Sequence, residues 1–133
     1  MALTDPIADA LTLVRNASRA RKQRLDVRAS SMVTSILKIL RQEKFIFDYR
    51  LIEDKKQGIL RVYLSKENEV PTRRINRIVR ISKPGLRIYT KKESIPTVLN
   101  GLGICILSTP EGLLSGEQAK RRGVGGEVIC KIW

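Results

Sequence analysis

The chain has 133 residues, of which 42% are hydrophobic, and this is enough to close the core of one domain or of two small lobes. Its 26 Lys and Arg against 13 Asp and Glu give a formal net charge of +13, so we expect a polyanionic partner, either nucleic acid or an anionic membrane. The absence of histidine and the presence of only two cysteines exclude His-dependent triads, HExxH metal sites and the common structural zinc sites.

Membrane insertion and secretion are not expected from the sequence. No apolar run approaches the ~20 residues that a membrane-spanning helix needs. Residues 2–12 lack the basic start and the long apolar stretch of a signal peptide. We therefore expect a soluble intracellular protein.

The first predicted element is a helix from Pro6 to about Arg19, with Asp5 as its cap and proline at its first position. Apolar residues recur at helical spacing on one side, and basic residues recur on the adjacent side. The apolar stripe is Ile7, Leu11 and Val14, and the basic one is Arg15, Arg19 and Lys22.

A strand, a second helix and a hairpin are predicted next. Residues 24–28 alternate charged and apolar side chains, and Ser30 or Ser31 can cap a helix that follows. Residues 45–52 and 59–64 flank a polar stretch that ends in glycine, which predicts a β-hairpin. Together these elements give an α-β-α-β-β lobe over residues 1–65.

Residues 66–74 are polar, contain a proline and show no periodicity, which predicts a linker between two lobes. Beyond it, strands are predicted at 75–82 and 86–90, on either side of a Lys-Pro-Gly sequence at 83–85. Because proline suits the first central position of a tight turn and glycine accepts positive φ at the second, we predict a type II turn.

The rest of the second lobe, residues 75–133, is predicted to contain two short helices and two strands. Ser94 can cap a helix through Asn100 that Gly101 ends. A capping-box sequence at 115–118 begins the other helix, and Gly123 ends it. The strands lie at 103–107 and 126–133. The predicted fold is α+β, with an N-terminal α-β-α-β-β lobe and a C-terminal lobe of mostly antiparallel β structure with short helices.

Cys105 and Cys130 alternate with apolar neighbours in these last two strands. Lone thiols in such positions are typical small core residues. We predict that both are buried and play no part in metal binding or catalysis.

Positive charge is concentrated in two stretches that contain no acid. Residues 73–92 carry eight basic residues and residues 15–24 carry five, so both lobes contribute to the basic surface. A charge run is often only a solvated face, but a surface of this kind also fits the phosphates of nucleic acid. The basic residues of the stretch 73–92 are Arg73, Arg74, Arg77, Arg80, Lys83, Arg87, Lys91 and Lys92.

Tyr89 lies between Arg87 and Lys91. An exposed ring at this position can stack on an unpaired base. The alternative is an ordinary strand tyrosine that fills the core.

Residues 108–112, Ser-Thr-Pro-Glu-Gly, form a predicted polar loop between two apolar segments. Short hydroxyls and a glycine that allows close approach suit an irregular RNA site, where base edges and 2′-hydroxyls are accessible. The alternative is a hairpin turn without a binding role.

Four blocks of the chain, in order, resemble small-subunit ribosomal protein eight of the bacterial and plastid type. They are the Asp-Pro-Ile-Ala-Asp-x-Leu-Thr opening at 5–12, the Lys-Pro-Gly-x-Arg-x-Tyr sequence at 83–89, the Ser-Thr loop at 108–112 and the Gly-Gly-Glu strand ending in Trp at 125–133. The resemblance implies a protein that binds ribosomal RNA directly, in an irregular helix of the central domain, and promotes subunit assembly. It implies no catalysis and no cofactor.

The resemblance also assigns residues and partners. In the family the Ser-Thr loop and the turn tyrosine contact RNA, basic residues hold phosphates, and the first helix makes a further contact. Expected neighbours are other small-subunit proteins, notably number five, with no homo-oligomer. The RNA-binding residues implied are Ser108, Thr109, Glu111, Gly112, Tyr89, Lys83, Arg87, Arg74, Arg15 and Asn16.

Pro110 departs from the family pattern, because the family usually has a second serine there. A hydroxyl and an amide donor are both lost. Any contact made through that serine must be absent or replaced, for example by Glu111 or by water.

Three other interpretations remain at the level of sequence. Family members can also bind a messenger RNA that mimics the ribosomal site and repress its translation, and this chain has the same surface. A metal-dependent nuclease would need a carboxylate cluster, which the spacing of the acids does not suggest. A membrane-surface role would use the same positive charge. The compartment is a bacterial cytosol or a plastid stroma.

Overall fold

The computed structural model of the protein describes residues 5–53, 55–56, 58–66 and 75–133. They form two compact units. One contains residues 6–76, and the other contains residues 77–133 together with Asp5. Residues 67–74 of the predicted linker, which include Arg74, lie outside the described residues, so the linker stays a prediction.

Two helices of the first unit confirm the sequence expectations. Helix α1 spans Pro6–Arg19, and helix α2 spans Ser31–Gln42. Ser30 caps α2, because its hydroxyl accepts a hydrogen bond of 3.2 Å from the Val33 amide. The side of each helix that carries regularly spaced apolar residues is buried.

The sheet of the first unit has three antiparallel strands in the order β1-β3-β2. They are β1 (Arg24–Arg28), β2 (Asp48–Ile52) and β3 (Ile59–Tyr63). Val27, Leu60 and Val62 are buried on one face, with α1 packed on β1 and α2 on β2. The predicted α-β-α-β-β order is therefore confirmed.

The prediction that the hairpin's first strand begins at residue 45 is wrong. Lys44 has a φ of 64°, and the Phe45 amide donates a hydrogen bond to the Leu40 carbonyl. These two residues therefore cap the C-terminal end of α2 and are not part of a strand. Phe45 and Ile46 are buried core residues before the strand begins at Asp48. Their apolar character comes from the core and not from strand alternation.

The sheet of the second unit has five strands, and β8 is at its centre. The order is β4-β8-β6-β7, and β5 also pairs with β8. The strands are β4 (Ile78–Arg80), β5 (Tyr89–Thr90), β6 (Ile104–Thr109), β7 (Gly112–Ser115) and β8 (Gly126–Ile132). The described residues form three α-helices and two antiparallel sheets, so the α+β class is confirmed.

Helix α3 (Gly116–Arg122) begins and ends as predicted. Ser115 and Gln118 form the reciprocal capping box, and Gly123 ends the helix in the left-handed conformation with a φ of 67°.

One prediction around the Lys-Pro-Gly turn needs correction. The flanking strands are shorter than the predicted 75–82 and 86–90, because β4 stops at Arg80 and β5 begins at Tyr89. A turn is present, since Lys83 and Leu86 exchange two backbone hydrogen bonds of 2.9 Å. The type of this turn stays a prediction.

The predicted helix from Ser94 to Asn100 is also wrong. The segment contains two separate 3₁₀ turns, Lys92–Ser94 and Leu99–Gly101. Pro96 has no amide hydrogen to donate and forces Ile95 into an extended conformation, with φ −61° and ψ 124°. A continuous helix cannot pass through that pair.

Both cysteines are buried, as predicted. Burial raises the pKa of Cys105 and raises the pKa of Cys130 to about 12. Cys105 belongs to the apolar cluster beneath α3, with Leu107, Leu114, Ala119 and Val128. The thiols are therefore core residues that hold their protons at neutral pH.

Cys130 should resist alkylation by iodoacetamide in the folded protein at pH 8 and react once urea unfolds it. Its folded pKa lies above the unfolded value, so its contribution to the free energy of unfolding is complete below about pH 8.5 and is lost as the pH rises toward 12. Urea titrations at pH 8 and pH 10 measure this loss, and Cys130→Ala should show a smaller one. Rapid labelling of native Cys130 would contradict the prediction.

Candidate nucleic-acid interface

The loop that carries the turn is closed at its base by Ser82, which is 0% exposed. Its hydroxyl accepts a hydrogen bond of 2.8 Å from the Ile88 amide and donates one of 3.0 Å to the Ile88 carbonyl. The same carbonyl accepts from the Val128 amide at 2.9 Å. Ser82 therefore links both ends of the loop to β8 and fixes the position at which strand β5 begins with Tyr89.

Tyr89, Glu127 and Ser108 lie side by side across three strands. Tyr89 of β5 is opposite Glu127 of β8, which is opposite Ser108 of β6. Residues paired in this way project from the same face of the sheet, and the two outer ones are about 10 Å apart across two strand spacings. The sheet thus brings the predicted tyrosine and the predicted serine onto one surface, which we call the Tyr89 row.

The Tyr89 ring is 70% exposed, so the alternative of a core tyrosine is wrong. Leu86, at 64%, and Ile88 are also exposed in the same loop. A large exposed ring on a short strand presents its face to a partner and contributes little to the core.

Glu127 is a site residue that the sequence analysis did not select. Its carboxylate pairs with Arg87 at 3.2 Å, and it lies between the two side chains predicted to meet RNA. The pair neutralises Arg87 in part and fixes its direction beside the row. The sequence does contain a sign of its role, because Glu127 is the single acid between Gln118 and Trp133, in an otherwise basic segment.

The residues predicted as a five-residue polar loop form a tight hairpin. Ser108 and Thr109 end β6, Gly112 begins β7 with a φ of 101°, and only Pro110 and Glu111 form the turn. The Thr109 hydroxyl donates to the Gly112 carbonyl at 2.7 Å and accepts from the Glu111 amide at 3.1 Å. Thr109 therefore shapes the turn, whereas Glu111 is exposed at its tip.

Two glycines allow the strands of the row to approach closely. A Cβ on Gly126 would lie 2.1 Å from the Ser108 carbonyl oxygen, and one on Gly125 would lie 2.3 Å from the Thr90 carbonyl oxygen. Both distances are far inside van der Waals contact, so no larger residue fits without moving a backbone.

The basic residues of segment 73–92 have different environments. Lys83, Lys91 and Lys92 are exposed near the row and are suited to hold phosphates. Arg80 instead pairs with Asp5 at 3.1 Å and donates to the Ile129 carbonyl at 2.8 Å, so it is a structural residue. Arg74 lies outside the described residues.

Arg15 and Asn16 lie in the first unit, on α1. Asn16 is exposed, whereas Arg15 is half-buried and its Nε has no hydrogen-bond partner among the described residues. The structure does not place them in the Tyr89 row.

A nuclease centre is not supported. Within the described residues, no three acidic or cysteine side chains are close enough together to hold a metal ion. Among the same residues, none of the helices has both the length and the apolar character that crossing a membrane requires.

Replacing Ser82 by alanine should lower the free energy of unfolding by about 1–3 kcal/mol, because the Ile88 amide loses its partner. Urea denaturation measures the change. Ser94→Ala removes an exposed hydroxyl on a 3₁₀ turn and should change stability by less than about 0.5 kcal/mol. Equal effects of the two substitutions would show that the hydrogen bonds between Ser82 and Ile88 do not stabilise the fold.

The chain is similar to a known family over nearly its whole length. A family model described as ribosomal protein S8 matches residues 5–133. Small ribosomal subunit protein uS8 of Streptococcus thermophilus is 53% identical over 133 residues, which cover all of both chains. The uS8 proteins of Geobacillus kaustophilus and Streptococcus uberis are 53% and 52% identical, again over the full length of each.

Proposed function

This chain belongs to the ribosomal protein S8 family, and on that basis we propose that it binds an irregular helix in the central domain of small-subunit ribosomal RNA. Its role there is structural: it holds the folded RNA and promotes assembly of the subunit. The family is one of ribosomal proteins and not of enzymes.

The exposed Tyr89 on the same face of the sheet as Ser108 is the observation that carries this proposal. Regular double-helical RNA hides its base edges in a deep, narrow groove, so a protein gains specificity where bases are unpaired. A ring with a free face can stack on such a base, and a short hydroxyl can bond to its edge or to a 2′-hydroxyl.

Charge around the Tyr89 row supplies the remaining affinity. Lys83, Lys91 and Lys92 are exposed on the segment that carries the ring, and each can neutralise a phosphate. Such contacts strengthen binding to any RNA, whereas the ring and the hydroxyl favour the irregular site. The function thus divides between generic attraction and local recognition.

Pro110 removes a hydroxyl and an amide that the family pattern supplies, yet the hairpin still forms. Thr109 holds the turn through its bonds to residues 111 and 112. We propose that Ser108 and the exposed Glu111 carry the polar contacts that remain in the turn.

Binding to the isolated internal-loop helix should be compared with binding to a perfect duplex of equal length, at several salt concentrations. We expect tight binding that prefers the loop at about 150 mM salt, because stacking is less sensitive to salt than phosphate contact. Equal binding to both RNAs, lost as salt increases, would reject site-specific recognition.

Ser108→Ala and Thr109→Ala should separate direct contact from turn shape. Ser108→Ala should weaken loop binding by about 0.5–1.5 kcal/mol, the usual value of one hydrogen bond, with little change in stability. Thr109→Ala removes two bonds inside the hairpin, so it should lower both binding and the free energy of unfolding. Fluorescence binding and urea denaturation measure the two effects. Identical profiles would contradict this division.

We further propose that the protein works in a ribosome of bacterial type, because the relatives above are bacterial. From the family resemblance, we propose that small-subunit protein five is its neighbour there. The same surface would accept a messenger RNA that imitates the ribosomal helix. Competition between the two RNAs for one binding site tests this, and simultaneous binding of both would reject it.

A further inference from the structure

The three-stranded sheet of the first unit has one face that α1 and α2 do not cover. Alternate residues of all three strands project from it, as the register pairs and burial show, and we call it the outer face. Its residues are Arg24, Asp26 and Arg28 of β1, Asp48, Arg50 and Ile52 of β2, and Ile59, Arg61 and Tyr63 of β3.

Both acids of the outer face are already paired. Asp26 accepts two hydrogen bonds from Arg61, at 2.9 and 3.3 Å, and this hydrogen bonding lowers the pKa of Asp26. Asp48 pairs with Arg41 of α2 at 3.2 Å. The charge of Arg24 also lowers the pKa of Asp26, whereas neither acid pairs with Arg28 or Arg50.

Three arginines of the face are exposed and have no ion-pair partner among the described residues: Arg24, Arg28 and Arg50. Arg50 lies directly opposite Arg61 in the strand register. Like charges in this position repel one another, and Asp26 offsets only one of the two. An anion above the sheet would relieve that repulsion.

The spacing of these arginines suits an extended anion. Arg24 and Arg28 are four residues apart along β1, about 13 Å, and Arg50 lies two strands away, about 10 Å. A single phosphate cannot reach all three, whereas successive phosphates of a nucleic-acid backbone can. All the cations of the face are arginines, whose planar fork matches phosphate oxygens in pairs.

We propose that the outer face is a second RNA-binding surface, which holds the phosphate backbone of ribosomal RNA outside the internal loop. The inference rests on the proposed function, since it takes ribosomal RNA as the partner. It is distinct from the Tyr89 row and from the predicted contact at Arg15 and Asn16. The surface binds by charge and adds affinity without reading bases.

Two triple variants of the full chain test this. One replaces Arg24, Arg28 and Arg50 by glutamine. The matched control replaces three exposed lysines of the same unit, Lys38, Lys44 and Lys55, so that the net charge changes equally. The probes are the short internal-loop RNA and the complete central-domain RNA, each titrated at several salt concentrations, after circular dichroism and urea denaturation have shown that both variants fold.

On the complete RNA, the arginine variant should bind about tenfold more weakly than the control and lose about 2 to 3 units of salt slope, the amount expected for three phosphates. On the short RNA, the two variants should agree within about twofold. Equal losses for both variants on the complete RNA, or none, would overturn the proposal. Normal RNA binding with defective uptake into subunits would also overturn it, in favour of an acidic protein partner.

The outcome is separable from that of the proposed function. If the unmodified protein fails to prefer the loop over a duplex, the proposed function fails. The outer face is judged only by the difference between the two variants on the complete RNA.

Discussion

Replacing Tyr89 by alanine should weaken binding to the internal-loop RNA by about 1–3 kcal/mol, or about 5- to 150-fold. The ring is 70% exposed on a two-residue strand, so its removal takes away a stacking surface and almost no core. The free energy of unfolding should therefore change by less than about 0.5 kcal/mol. Fluorescence titration of loop RNA and of perfect duplex measures the effect. The loss of affinity should be seen with the internal-loop RNA and not with the duplex.

Two controls separate stacking from other causes. Tyr89→Phe keeps the ring and should keep most of the affinity, because stacking needs the π-face and not the hydroxyl. Leu86→Ala removes another exposed apolar side chain of the same loop, 64% exposed, and should have little effect. Equal losses for Tyr89→Ala and Leu86→Ala would show that the loop contributes only apolar area.

Replacing Gly126 by alanine should lower the free energy of unfolding by about 3 kcal/mol or more, at or above the upper end of overpacking costs. The new Cβ would lie 2.1 Å from the Ser108 carbonyl oxygen and 2.9 Å from its carbon. Both obstacles are backbone atoms, so no change of side-chain rotamer relieves the overlap. Strands β6 and β8 must separate where they carry Ser108 and Glu127.

Loop-RNA binding should fall together with stability, because this separation displaces the Tyr89 row. Urea denaturation and loop-RNA titration measure the two changes on the same sample. Ser94→Ala is the control, since it changes an exposed side chain of the same unit. Its effect on stability should stay within about 0.5 kcal/mol. If Gly126→Ala were as stable as Ser94→Ala, the strands would be less tightly constrained than the distances indicate.

Some of the residues in these experiments could be predicted from the sequence, and others could not. Tyr89 and Ser108 were identified as candidates from the sequence, but their placement in one row depends on β8 lying between β5 and β6. Ser82 and Glu127 were missed. Each makes its important contact with a residue whose position only the folded sheet fixes, Ile88 for one and Arg87 for the other.

Features that depend on local chemistry could be predicted from the order of the amino acids alone. Examples are the helix caps at Ser30, Ser115 and Gly123 and the apolar stripes of α1 and α2. Each depends on residues only a few positions apart, so the sequence pattern predicts it. The order of the main elements, the α+β class and the family resemblance follow in the same way. The excess of 13 positive charges predicted a polyanionic partner without any structure.

Which charges are available to a partner, and which side chains share a face, depends on the fold of each unit. Arg80 and Arg87 look alike in the sequence, yet one is tied to Asp5 and Ile129 and the other to Glu127 at the edge of the row. Strand register brings together residues tens of positions apart, as it does for Asp26 and Arg61 on the outer face. A local pattern contains no information about such distant partners, because the free energy that selects them comes from packing the whole unit.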